Sequence, residues 1–552
     1  MGAPPGPAHG SAGPAGEPVT RWPFAFELLA VLALLAAAGA LLHVPKQRVP
    51  MVFDMVGYAA QAHGLLTGHG NTIAMGDEHL PGIYPVGVPA LAAAAMALLG
   101  PDLRNGLWAV LACALGTLLC AHLCVRGAGL PPWAGLLAIV LVPCSPLFRS
   151  TSGYIMSQVP TAFAVSLVLW LFLARRSGTA LFLAGLIASL SLLLRYANVS
   201  FPAAVLGAEL LCGTSRELPR RRALVLLCAG LGLGTALLLA HNALLYGGPF
   251  TTGYRLWGWD VGGQFSWHNL LDAPGTARFK GDHILLSAAF GLSELTSVPL
   301  VLAAAAGLVF CWRDGRPRAD RPARPEARLL GGLSACTLGA TWLLLAGYSF
   351  RSETYLVPTV PVIAVLAAYG TARLLQLALR RAPARAWRAG APVLALLLAA
   401  TLCGVSTARA PGPSEDVTAS VERFRNLERA GVVLPADAAL VTTADPGIVE
   451  PLFRTQPART VLYLGPYASP LLEQRTLAQL GTRTVKPEHV VRWAAGRLAA
   501  GHPVYLDQNP PPRGLFASHV AIRTALRSAF QLVPCDATNI VQLVRHAAAP
   551  PR

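Results

Sequence analysis

The chain reads as a polytopic all-α membrane domain followed by a smaller soluble α/β domain, and three observations predict this. Of its 552 residues, 54% are hydrophobic and only 13% charged, about half the charged fraction of an ordinary soluble protein. Apolar runs of roughly 17–25 residues recur along the first three quarters, each able to cross a ~30 Å hydrocarbon core. Beyond residue 409 the pattern changes to short apolar strands alternating with helical segments. The mean hydropathy of +0.51 agrees with a chain that lives mostly in lipid.

Residues 1–20 are rich in Gly, Pro and Ala and read as a disordered tail. Phe24–Leu42 is longer than the apolar core of a secretion signal, so it is expected to stay as the first anchor of a membrane domain over 21–408. Hydropathy predicts about eleven spans, near 24–43, 106–124, 131–148, 154–174, 178–194, 197–212, 223–245, 285–312, 329–348, 356–376 and 390–408. Pro85–Gly100 is apolar too, but at about 16 residues it is short for a crossing. The linker Ala410-Pro411-Gly412-Pro413-Ser414 opens the final region, 409–552. There Ala439–Thr443, Thr460–Leu464 and Pro503–Leu506 are expected as strands and Val490–Ala500 as a helix. That region carries no GxGxxG fingerprint and no phosphate-binding loop.

Charge decides sidedness. The formal net charge is +17, and on a membrane protein basic charge belongs to cytoplasmic loops. No interleaving of basic and aromatic residues points to nucleic acid. The basic segments Arg175-Arg176, Arg216 to Arg222, Arg313 to Arg328 and Arg380 to Arg388 all share the side of the N-terminus only if Pro85–Gly100 does not cross. That segment is therefore expected to be an interfacial or re-entrant helix on the outer face. The N-terminus is then cytoplasmic. The outer face receives the 44–84 loop, the 149–153 turn, Arg195, the 246–283 loop, the 349–355 loop and the whole of 409–552. Of the ten cysteines, all but Cys535 lie within or at the ends of apolar runs. Without a CxxC pair they read as small hydrophobes, which argues against redox chemistry.

Four outer segments hold the residues that can carry chemistry. The 44–84 loop has Asp54 near its start and Asp77-Glu78-His79 near its end. A loop that folds back can bring these carboxylates together, either around a divalent cation such as Mg or Mn, which takes oxygen ligands, or with one acting as a general base. Tyr58 follows Asp54 by one helical turn. His43, His63, His69 and His79 lie in or near this loop without the tight spacing of a zinc site. The second segment is Arg195-Tyr196-Ala197-Asn198, between two apolar runs. A charge at a helix centre costs about 2.5–3.5 kcal/mol, so Arg195 is expected at a helix end, snorkelling or paired with a phosphate. The third is His241-Asn242 with Tyr246-Gly247-Gly248-Pro249, running on to Thr252, Tyr254 and Arg255. Trp257, Trp259 and Trp267 follow it and suit an interfacial belt. The fourth is Arg351-Ser352-Glu353-Thr354-Tyr355, a short outer loop in which Arg351 suits a phosphate or a local pair with Glu353.

Taken in order, these motifs resemble the GT-C superfamily of membrane glycosyltransferases, in particular the protein O-mannosyltransferase-like branch with its bacterial relatives. The matching residues are Asp54 with Tyr58; Tyr84-Pro85-Val86-Gly87 through Leu98-Leu99-Gly100; Gly185 to Arg195; Asn242 with Tyr246 to Tyr254; and Arg351 with Tyr355 to Pro358. The likeness covers roughly residues 24–376. It departs at Ser157-Gln158-Val159-Pro160, where the family often has an acid at the position of Gln158. The resemblance implies a polyprenyl-phosphate sugar donor and a glycan, lipid or protein acceptor at the outer face of a bacterial cytoplasmic membrane. It implies a catalytic role for Asp54 as base or metal partner, with Asp77 or Glu78 as further ligands, and phosphate contacts for Arg195 or Arg351. The substrate-binding set expected around Asp54 is Tyr58, Arg195, His241, Asn242, Tyr254, Arg255, Arg351 and Tyr355. A transporter, or a non-catalytic membrane subunit, is the alternative that the same intramembrane charges and Gly/Pro breaks leave open.

Overall fold

The computed structural model describes residues 24–43, 54–75, 78–174, 177–212, 218–257, 298–317, 323–347, 353–378, 415–443, 449, 452–453, 456, 458–464, 470–508, 516–535 and 539–546. Its first part runs α1 (Phe24–His43), α2 (Asp54–Leu66), β1 (Thr72–Met75), β2 (Glu78–Pro81), α3 (Gly87–Leu99), α4 (Gly106–Gly127), α5 (Pro132–Leu141), α6 (Pro146–Thr151), α7 (Gln158–Ala174) and α8 (Gly178–Leu194). It continues with α9 (Ser200–Cys212), α10 (Arg220–Tyr246), α11 (Gly253–Leu256), α12 (Val298–Asp314), α13 (Pro325–Gly347) and α14 (Val360–Ala378).

Five stretches among the described residues have the length and composition to cross a membrane: Phe24–Leu42, Leu103–Gly127, Arg220–Tyr246, Pro325–Leu345 and Thr354–Ala378. The last is the hub, 94% buried, whereas only 17% of the first and 28% of the third are buried. Leu29, Leu32, Leu237 and Leu244 project from α1 and α10 into open space, where lipid would meet them. Five further apolar helices are shorter than a full crossing. The chain breaks them where the sequence dictates. Ser145 caps α6 by accepting from the Phe148 N–H at 3.2 Å, with Pro146 in the first turn. Ser177 caps α8 through the Ala180 N–H at 3.3 Å, and the extended Arg195 ends it. Of the expected spans, 390–408 and the first half of 285–312 lie outside the described residues.

The 44–84 stretch, expected as a loop, carries structure. Its apolar and small residues bury α2 on all sides, every residue from Met55 to Ala62 being inside. Thr72–Met75 and Glu78–Pro81 close an antiparallel hairpin in which Thr72 faces Pro81 and Met75 faces Glu78. Helix α3 has 13 residues, about 20 Å at 1.5 Å per residue, short of the ~30 Å core. One cysteine departs from expectation. Cys144 is disulfide-bonded, whereas the eight other cysteines described are free.

The last part contains α15 (Glu415–Val433), β3 (Ala439–Thr442), β4 (Thr460–Tyr463), α16 (Pro470–Leu480), α17 (Pro487–Ala499), β5 (Val504–Asp507), α18 (Phe516–Ala529), β6 (Phe530–Pro534) and β7 (Ile540–Arg545). The five strands make one sheet in the order β4-β3-β5-β7-β6. β3 runs parallel to β4 and β5, and β7 antiparallel to β5 and β6. Phe424, Leu427 and Ala430 of α15 join the apolar cluster that holds Met55, Leu103 and Leu107. Arg104, just before α4, fixes this contact by donating to both Glu428 oxygens at 2.8 and 2.9 Å, its guanidinium 5.6 Å from the Phe424 ring centre.

Arg459, 2% exposed, is the polar anchor of this part. It donates to the carbonyls of Pro435 (2.9 Å), Gly431 (2.8 Å), Phe453 (2.6 Å) and Leu434. Each orphaned buried carbonyl costs about 1–3 kcal/mol. Arg459→Ala is therefore expected to destabilise the sheet region by about 3 kcal/mol or more. Limited proteolysis checks this: new cleavage within 415–545 is expected, and wild-type resistance would contradict it.

Candidate functional site

Helix α2 begins with Asp54, and a carboxylate in a first turn meets the positive end of the helix dipole. One turn later Gly57 and Tyr58 face inward, and a turn beyond them stands Gln61, which is fully buried. Gln61 works with Asn71, which precedes the hairpin. The Gln61 amide donates to the Asn71 side-chain oxygen at 2.7 Å and to the Tyr84 carbonyl at 2.8 Å. Its own oxygen accepts from the Tyr84 N–H at 3.0 Å, and Asn71 donates to the Tyr84 carbonyl at 3.1 Å. Both sides of the Tyr84 backbone are thus held by buried amides.

The Tyr84 ring then lies over Gly57, where a side chain would overlap it. It stacks on Tyr58 with centroids 4.3 Å apart and planes at 27°. Its hydroxyl donates to Asp54 Oδ1 at 2.9 Å. A third segment closes on this pair. Gly253 packs so tightly on the carbonyls of Gly82 and Ile83 that any Cβ there would overlap them. Trp257 Nε1 donates to the Pro81 carbonyl at 2.8 Å. Together these place Tyr254 edge-on to Tyr84, at 5.7 Å, and to Tyr196, at 5.8 Å. The Tyr196 hydroxyl reaches Asn242 Oδ1 at 3.3 Å, and Asn242 donates to the Pro249 carbonyl at 3.3 Å.

Arg195 supplies the positive charge. Its guanidinium lies 3.6 Å from the centre of the Tyr355 ring, an arrangement that favours a planar cation. Arg195 and Tyr355 line a cleft with Thr161, Asn198, Thr337 and Thr341. Asn198 donates to Thr161 Oγ1 at 3.0 Å and to the Ser191 carbonyl at 2.7 Å. Gln158 is buried at the head of α7, and its Oε1 has no hydrogen-bond partner among the described residues.

Burial pushes the Asp54 carboxyl above the usual carboxylate range, while the Tyr84 hydrogen bond and then the Arg195 charge pull the other way. Burial raises the phenols of Tyr58, Tyr84 and Tyr254 well above their ordinary value, and the Asp54 charge adds to it. All three therefore stay protonated and can donate. The site is a carboxylate that withdraws from water, ringed by neutral donors, with one guanidinium in electrostatic reach.

Of the residues expected here, Asp54, Tyr58, Arg195, Tyr254 and Tyr355 share this electrostatic neighbourhood, and Asn242 joins it through Tyr196. His241 sits beside Asn242, 3.4 Å from its side-chain oxygen, with a buried Nε2 that has no partner among the described residues. Arg255 is exposed on α11. Glu78 is exposed on β2, at the turn end of the hairpin. Asp77 and Arg351 lie outside the described residues. No three of His, Cys, Asp or Glu among the described residues group as a metal site. His69 and His79 stack face to face at 3.6 Å. Sequence reasoning missed Tyr84 as a site residue and missed the Gln61–Asn71 pair. The run Asp54, Tyr58, Gln61 at helical spacing was the available signal.

Gly253→Ala is expected to push the 251–257 segment off the hairpin and to destabilise the protein by about 1–3 kcal/mol. Gly232 of α10 has open space beside it, so Gly232→Ala should match or slightly exceed the wild type. Thermal melting in detergent checks both; equal melting temperatures for the two variants would contradict the packing argument.

No protein-family model matches the chain, and no curated protein does. Solved structures do. ArnT from Cupriavidus metallidurans bound to undecaprenyl phosphate superposes with a TM-score of 0.57 at 14% identity, covering 95% of this chain and 99% of that one. Its apo form gives 0.55 at 13% identity, covering 93% and 97%. An Archaeoglobus fulgidus oligosaccharyltransferase tethered to an acceptor peptide gives 0.51 at 13% identity, covering 94% of this chain and 74% of that one. The chain therefore shares the fold of ArnT and of this oligosaccharyltransferase.

Proposed function

We propose that this protein transfers a sugar from a polyprenyl-phosphate donor to an acceptor hydroxyl at the outer face of the membrane. The observation that carries the reading is the desolvated Asp54 carboxylate, held by Tyr84 beside the Arg195 cleft. The shared fold with ArnT, a protein solved with undecaprenyl phosphate, supports it. In this reading the phosphate sits against Arg195 and the acceptor hydroxyl against Asp54. Asp54 takes the hydroxyl proton as the acceptor oxygen bonds to the anomeric carbon. The bond from that carbon to the phosphate oxygen breaks, its electron pair stays on the phosphate, and the configuration inverts. Hexosyl and pentosyl donors fit the reading equally.

The described donor set does not suit a divalent cation. The neighbours of Asp54 are phenols and a guanidinium, whereas Mg or Mn calls for several oxygen anions or carbonyls. No step here is routed through a metal.

The same reading gives the bundle about eleven crossings, four of the shorter apolar helices among them, with the N-terminus in the cytoplasm and residues 409–552 outside.

Asp54→Asn is expected to lower transfer by about 10²–10⁴-fold in an assay of purified protein with polyprenyl-phosphate sugars. In the wild type the acid limb of kcat/KM should lie above the ~4 of an ordinary carboxylate, because burial dominates at Asp54. The sign for stability is opposite to that of a salt-bridged acid. A carboxyl held above its unfolded value loses stability as pH rises through that window. Asp54→Asn should therefore melt no lower than the wild type at pH 7. Full activity in this variant would remove the mechanism.

A further inference from the structure

Resting on the transferase reading above, we propose that Tyr84 is the positioning residue for Asp54: by engaging Oδ1 it turns Oδ2 toward the acceptor hydroxyl. Asp54 Oδ1 accepts from Tyr84, and no described residue donates to Oδ2. One oxygen is thus occupied and one is left to receive a proton.

The placement of Tyr84 is determined several times over. Gln61 and Asn71 hold its backbone N–H and carbonyl. Tyr58 stacks on one face of its ring, Tyr254 meets it edge-on, and Gly57 leaves the space it fills. A ring gripped this way cannot follow a wandering carboxylate, so the carboxylate must come to the hydroxyl. The two faces of Asp54 then differ in role because of the fold, before any substrate arrives.

Among the described residues, the ionisable groups around Asp54 are Tyr58 on its own helix, Tyr84 beyond the hairpin, Tyr254 on α11 and Arg195 after α8. Helix α3 and strand β1, which pack on α2, bring none. Among the described residues, only Tyr84 hydrogen-bonds the carboxylate. Removing that donor disfavours the ionised form, and the protonation midpoint of Asp54 must rise.

The test is Tyr84→Phe, which keeps the ring and removes the donor. Losing a hydrogen bond to a charged group predicts a kcat about 10–100-fold lower. The donor KM should change by less than about twofold, because the phosphate contact at Arg195 is untouched. The acid limb of kcat/KM should move to higher pH. Gly57→Ala, which displaces the ring without removing its hydroxyl, should move the limb the same way. A loss that is equal at every pH, or a wild-type profile in Tyr84→Phe, overturns the proposal. Infrared titration of the Asp54 carboxyl, identified by its disappearance in Asp54→Asn, separates this from the transferase reading. If the wild type transfers no sugar yet the infrared midpoint rises in Tyr84→Phe, the positioning role stands and the reading of function falls. An unmoved midpoint overturns the positioning role whatever the activity.

Discussion

Gln61 and Asn71 share four hydrogen bonds with each other and with the Tyr84 backbone, in a place closed to water. A buried amide left unpaired costs about 1–3 kcal/mol, so the hairpin has one position in which all these groups are satisfied. That position sets the rest. It brings Gly82 and Ile83 to where Gly253 docks, carries Pro81 to Trp257, and puts the Tyr84 hydroxyl on Asp54. Three segments distant in sequence therefore meet at one carboxylate because a pair of neutral amides closes one turn of chain.

Two tendencies compete at that carboxylate. Burial favours the neutral acid; the helix dipole, the Tyr84 hydroxyl and Arg195 favour the anion. Burial wins, and under the proposed function that suits a general base, whose effectiveness grows as its pKa approaches the working pH. The flanking tyrosines sharpen this. Being protonated, they donate without adding charge, and their rings exclude the water that would level the differences.

The residues legible in the sequence were those whose chemistry is out of place. Asp54, Tyr58, Arg195 and Tyr355 stand out because charge and hydroxyls are rare beside apolar runs. Gln61 and Asn71 did not, because their meaning lies in contacts made across the hairpin. Helix α2 read as loop because Asp54, Gln61, His63 and its glycines depress its hydropathy, although it is buried all round from Met55 to Ala62. The apolar run 131–148 overstated one crossing length, because a new helix starts at Pro146, whereas the run 178–194 ends where α8 does, at Arg195. In the last part, Val504–Asp507 lies close to its expected place, but β6 and β7 were not anticipated. β6 follows α18 without a break, and no turn signal marks the change.

Arg195 bears on both halves of the site, and this has a consequence under the proposed function. Its charge acts on Asp54 across a few side chains, while its guanidinium rests on Tyr355 at the rim of the cleft. A phosphate entering the cleft would compete with Asp54 for that one cation. The carboxylate would then feel less positive charge and hold a proton more strongly. Donor binding would so raise the basicity of Asp54 at the moment the acceptor arrives, whereas in the empty site the same acid stays partly neutralised by Arg195. Coupling of this kind needs no movement of the backbone. It needs only that base and phosphate share a cation in a medium too dry to screen them from each other.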